Sequence, residues 1–60
     1  MIMIVEIFKK EEKVKVKDLY GSKVDGYGVY IGSLKDGRYR IRVEENDMIL
    51  HIEPDRVKKI

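Results

Sequence analysis

Apolar and polar residues alternate along most of this chain, and a helical period of three to four appears nowhere. Successive side chains of a strand point to opposite faces, so alternation predicts strands with one face turned to a core. At the start, Met1, Met3, Val5 and Ile7 take one parity, and Ile2, Ile4, Glu6 and Phe8 the other. Both parities open apolar, so this segment is either covered on both sides or free to pair with a partner. KKEEK supplies a polar turn, and in KVKVKD the pair Val14 and Val16 points away from Lys13, Lys15 and Lys17. An N-terminal hairpin with strands at about 2–8 and 13–18 follows from that alternation.

The stretch LYGSKVDGYGVYIG is dense in glycine, which marks turns, bulges and sharp bends. Tyr27, Val29 and Ile31 share a parity and are expected in the core, leaving Gly28 and Tyr30 on the opposite face. SLKDG reads as a hairpin loop, its Asp36-Gly37 pair being a strong turn signal. A strand over 38–44 alternates Arg38, Arg40 and Arg42 with Tyr39, Ile41 and Val43, and EEND turns the chain again. MILHI forms a strand at 48–52, Pro54 ends it for want of an N–H, PDR suits a 3₁₀ turn, and VKKI closes the chain. Five or six short antiparallel strands without a helix predict an all-β fold. In one domain over 1–60, a small closed barrel best solves the problem of exposed edges.

Sixty residues bury a small core and leave little volume for an enclosed active-site cavity. No cysteine is present, so no disulfide or thiolate site supplements that core, and a reducing cytoplasm is the expected setting. The apolar MIMIV is too short for a signal peptide or a membrane span. Ala, Thr, Gln and Trp are absent while Lys, Glu, Ile and Val crowd the chain, a composition that leans toward a hyperthermophile. The charge is polarised. Residues 21–43 carry Lys23, Lys35, Arg38, Arg40 and Arg42 against Asp25 and Asp36, whereas acids outnumber bases over 44–60.

That basic middle makes the arginine strand the first candidate site. Lysine outnumbers arginine nine to four overall, yet arginine is chosen three times running here. Guanidinium forks match phosphate geometry, so Arg38, Arg40 and Arg42 suit a nucleic-acid backbone. The competing reading is the wet side of a half-buried sheet, neutralised by Glu44, Glu53 or Asp55. Tyr30, taken as outward, would stack on a base or cover lysine stems. Lys15, Lys17 and Lys23 would widen the positive field. Tyr20, Tyr27 and Tyr39 are expected in the core or at corners. Gly26-Tyr27-Gly28 lacks a following helix and is read as a turn, not a nucleotide fingerprint. His51 is the lone imidazole, expected on a strand surface, and Ser22 and Ser33 sit in turns. No nucleophile–base–orienter set converges, so no catalytic residue, metal site or cofactor is expected.

The order of elements resembles the SH3-like small barrel, in which a strand, a 3₁₀ turn and a last strand, here HIEPDRVKKI, close the sheet. Within that architecture, GSKVDGYGVYIGSLKDGRYRIRVE resembles the KOW motif of ribosomal and transcription-elongation proteins, where a glycine followed by valine, here Gly28-Val29, precedes a hairpin and a basic strand. GVYIGSLKDGRY also resembles, more loosely, the central hairpin of the seven-kilodalton chromatin proteins of crenarchaea. Val29 and Leu34 fall at positions that family turns to DNA. Its DNA-facing tryptophan has no counterpart here, Leu19 being the nearest position. These resemblances imply a nucleic-acid-binding protein, DNA or RNA, that contacts the backbone with low sequence specificity. The alternative expectation is a protein-interaction module or accessory subunit, pairing with a second copy or another protein through residues 1–5.

Overall fold

The computed structural model describes residues 8–21 and 23–60. Five antiparallel strands form one sheet, with no α-helix among the described residues. They are β1 (Glu12–Val16), β2 (Gly26–Ser33), β3 (Tyr39–Val43), β4 (Ile49–Ile52) and β5 (Val57–Lys59), with a 3₁₀ turn at Pro54–Arg56 before the last. The spatial order is β4-β3-β2-β1-β5, so the chain meanders through four strands and then returns to flank the first. The expected strand at 2–8, and with it the pairing surface at residues 1–5, lies outside the described residues except for Phe8, which is buried.

The alternation read from β1 and β3 is observed. Val14 and Val16 are wholly buried between exposed Lys13 and Lys15, and Ile41 and Val43 are buried between half-buried Arg40 and Arg42. Phe8, Tyr30, Ile52 and Val57 complete the core, with Leu19, Tyr39 and Leu50 packed against it. Phe8, Tyr30 and Tyr39 form an aromatic trio with ring centroids 5.3–5.7 Å apart. Two of the three contacts are edge-to-face, an arrangement that adds to simple area burial.

In β2 the expected faces are reversed. Tyr30 points into the core, while Tyr27 is exposed and Val29 and Ile31 are half-buried. The inward positions at the start of β2 are Gly26 and Gly28, both buried, so Gly26-Tyr27-Gly28 is strand and not a turn. The reason is volume. A Cβ on Gly28 would stand 2.6 Å from Ile41 Cγ2 and 2.7 Å from the Arg42 carbonyl oxygen. The space opposite these glycines is therefore filled from neighbouring elements, and the bulkier apolar parity of β2 is forced outward. A bulge follows, where the register with β3 slips between Tyr30 and Gly32. Gly32 has φ +147°, in the half of backbone space that side chains other than glycine rarely enter.

Closure of the barrel is the second difference. Among the described residues the sheet keeps two edges, β4 and β5. Pro54 opens the 3₁₀ turn and redirects the chain, so β5 comes down beside β1 instead of continuing against β4. Arg56 locks this crossing. Its Nε and Nη2 donate to the carbonyl oxygens of Lys17 and Asp18, at 3.1 and 3.0 Å, and its own carbonyl accepts from Lys17 N at 2.8 Å.

Two stability changes follow from this packing. Gly28→Ala inserts a methyl group where two neighbours already stand, and overpacking of that kind costs about 1–3 kcal/mol; denaturant unfolding measures it. Arg56→Ala removes two charge-assisted hydrogen bonds and is expected to lose about 2 kcal/mol, with Arg56→Lys recovering part because one ammonium replaces the fork.

Candidate nucleic-acid interface

Pairing register shows which side chains share the outer face of the sheet. Residues directly opposite in an antiparallel pair lie on the same side. One row joins Ile49, Arg42, Val29 and Lys13, the next joins Tyr27, Lys15 and Lys58, and Arg40 stands opposite His51. The charged side chains set there by β1, β3 and β5 are Lys13, Lys15, Arg40, Arg42 and Lys58, all cations. The strands contribute no carboxylate to this face.

Carboxylates reach its margins from the turns. Glu11, in the turn before β1 at φ 69°, meets Arg42 Nη2 at 3.3 Å. Glu44 meets Lys13 Nζ at 3.3 Å, and Asp25 meets Lys15 Nζ at 3.6 Å. Of the acids considered as neutralisers, Glu44 therefore pairs with a lysine of β1 and not with the arginines. Among the described residues Arg40 and Lys58 make no ion pair. All three pairs are solvent-exposed, and such contacts contribute about 0–1 kcal/mol. A phosphate can exchange for them readily.

Arg38 stands apart from Arg40 and Arg42. It precedes β3, and its Nε and Nη2 both donate to Asp36 Oδ2, at 3.0 and 2.8 Å, while its backbone N–H donates to Asp36 Oδ1. These bonds close the loop between β2 and β3, where Leu34 N also donates to the Arg38 carbonyl. The guanidinium donates to the Asp36 side chain and so holds its carboxyl below the usual range, helped by the backbone bond, while Asp36 raises Arg38 in turn. Arg38 is a turn clasp first. The row of three becomes a pair on the sheet.

Tyr30 offers no platform for a base, because its ring lies in the core. Tyr27 is the exposed tyrosine of the face, beside Lys15 on one flank. On its other flank lies a depression lined by Tyr20, Asp25, Glu44 and Glu45. Tyr20 is also exposed, and the neighbouring Glu45 carboxylate raises its hydroxyl above the ordinary value. The acidic margin thus bounds the basic face near Tyr27. Of the positions singled out by resemblance, Val29 is half-buried on the outer face, Leu34 sits in the β2–β3 loop, and Leu19 packs on the core. His51 is exposed in β4 as expected.

Lys15, Lys17 and Lys23 do come together. They surround a hollow with Lys58, Asp18 and Asp25 at the far end of β1. Lys58 was not singled out in the sequence, although its place in a final strand with the opposite parity to Val57 was available. Among the described residues no group of three or more His, Asp or Glu is placed to hold a metal ion, and no helix is long and apolar enough to cross a membrane.

The two depressed carboxyls set an acid dependence. Asp25 is lowered chiefly by the Asp18 backbone N–H and then by Lys15, and Asp36 by Arg38. A carboxyl held low when folded stabilises the fold above its unfolded pKa, about 3.9, and loses that contribution as pH falls through the folded value. Denaturant midpoints are expected to decline below about pH 4. Asp25→Asn and Asp36→Asn should each lower stability at neutral pH and flatten that decline. Comparison with known proteins adds no relative: no family model, curated protein or solved structure matches this chain.

Proposed function

We propose that the protein binds nucleic acid through its phosphate backbone with low sequence specificity, using the outer face of the sheet. The observation that carries this reading is the sign of the strand-borne charges there. Lys13, Lys15, Arg40, Arg42 and Lys58 come from three strands, and every one is positive. A solvated face with no partner ordinarily mixes signs within the strands, whereas here the compensating acids are confined to turns at the rim.

Dimensions agree with a backbone contact. From β3 across β2 and β1 to β5 are three inter-strand spacings, about 14 Å. One strand of a duplex presents a phosphate about every 3.4 Å along the axis, so a face of that width meets about four. Arg40 and Arg42 supply forked donors, and Lys13, Lys15 and Lys58 supply point charges. Lys17 and Lys23 extend the field past the end of β1, and Arg38 adds charge from the turn without being free to reorient. The strands set no Asn, Gln or carboxylate on this face to read adenine or cytosine edges, and the arginine forks suit phosphate as well as guanine, in keeping with low specificity. The resemblance of the central hairpin to KOW domains points to the same class of partner.

About four phosphate contacts give a slope near −3.6 for log affinity against log salt on duplex DNA. Fluorescence anisotropy with a labelled oligonucleotide over a range of salt measures it. Affinity that stays flat from low to moderate salt would remove the proposal. The pair Arg40→Ser and Arg42→Ser should weaken binding about ten-fold or more, alike on all sequences, by losing about two contacts. Arg38→Ser should change affinity less and stability more.

A further inference from the structure

The hollow at the end of β1 has a character distinct from the open sheet face. It is an open depression of about 370 Å³, lined among the described residues by Lys15, Lys17, Asp18, Lys23, Asp25 and Lys58. That volume lies at the lower end of small-molecule sites. Among the described residues no aromatic side chain lines it, so it offers no ring for a base to stack on. Among the described residues, the side chains that line it carry four positive and two negative charges.

The two aspartates belong to the frame. Asp18 Oδ1 accepts from Lys23 N at 2.8 Å, and Asp25 Oδ1 accepts from Asp18 N at 2.9 Å. The segment is tied further by Tyr20 N to the Val24 carbonyl, and by the two bonds from Arg56 to the Lys17 and Asp18 carbonyls. These bonds tie the described residues of the frame to one another in the absence of a ligand, and such preorganisation lowers the cost of binding. The lysines, by contrast, are largely uncommitted. Among the described residues Lys17, Lys23 and Lys58 make no ion pair, and Lys15 has only the exposed contact with Asp25 at 3.6 Å.

Two features set these lysines around the hollow. Lys15 stands directly opposite Lys58 across the β1–β5 pair, where like charges repel. Lys23 adopts φ 64°, a left-handed conformation that a residue with a Cβ rarely enters. Asp18 holds Lys23 in this conformation through its N–H, which sets its side chain on the hollow's wall. An anion with several charges close together would relieve the repulsion among lysines that line one hollow.

We infer that this hollow binds a condensed phosphate group, a diphosphate or triphosphate, either free or carried at the 5′ end of a nucleic acid. Binding of the free group does not rest on the sheet-face reading above, and the two are separable by variant. The measurement is calorimetric titration with sodium tripolyphosphate at low ionic strength, together with amide shift mapping of the unmodified protein. Saturable one-to-one binding is expected, with shifts centred on 15–25 and 58. The double variant Lys17→Ala, Lys23→Ala should weaken it at least ten-fold, while Lys35→Ala and Arg40→Ser with Arg42→Ser leave it unchanged. Tighter binding of a 5′-triphosphate oligonucleotide than of its 5′-hydroxyl counterpart assigns the group to a nucleic-acid end. Equal affinity, with tripolyphosphate still bound, assigns it to the free form. Non-saturable binding, shifts spread evenly over all lysines, or an equal loss with Lys35→Ala would overturn the inference. The shift map decides the matter even if the double variant does not fold.

Discussion

Ile41 occupies the space that a side chain at position 28 would need, and the arrangement of the sheet depends on that exclusion. Because β2 has only glycine to offer at 26 and 28, β3 can lay Ile41 across it and Leu19 can close over its start. The same contact settles which parity of β2 faces inward. Tyr30 then joins Phe8 and Tyr39 in the core, and Tyr27 and Val29 are left outside. One missing side chain thus determines both the packing of the interior and the identity of the residues on the outer face.

The electrostatics of that face are those of a small protein with little interior. No charged side chain is buried among the described residues, so all charge arrangement takes place in solvent. Exposed pairs such as Glu11–Arg42 and Glu44–Lys13 hold cations in place without neutralising them permanently, because each is worth little and is screened by salt. Arg38 and Arg56 show the other use of the same chemistry. Each has its guanidinium turned on oxygens of the fold, Arg38 on Asp36 and Arg56 on two backbone carbonyls. Four arginines therefore divide into two that brace turns and two that remain on the sheet surface.

Legibility of the sequence followed from how local each cause was. The turn at Asp36-Gly37, the strand at β3, the 3₁₀ turn after Pro54 and the final strand all have signals within a few residues, and all are present. The inward face of β2 was misread because both of its parities carry apolar side chains. Alternation alone ranks Tyr27, Val29 and Ile31 above a set containing two glycines. Only the presence of Ile41, thirteen positions along the chain from Gly28, reverses that ranking. The arginine stripe was legible in parity but not in length, since Asp36 claims Arg38 by a local hydrogen bond that spacing does not reveal.

By itself, the sequence determined an all-β chain, the turn at Asp36-Gly37, the 3₁₀ turn after Pro54 and the outward parity of Lys13, Lys15, Arg40 and Arg42. These depend on period, turn chemistry and residue inventory, which are properties of short stretches. Tertiary structure alone decided that β5 returns to β1 and leaves β4 at the opposite edge, that Tyr30 is interior, and that Lys58 joins Lys15, Lys17 and Lys23 around one hollow. Each of these brings together side chains far apart in the chain, and the choice among such meetings is made by steric exclusion and backbone pairing, which no single stretch contains.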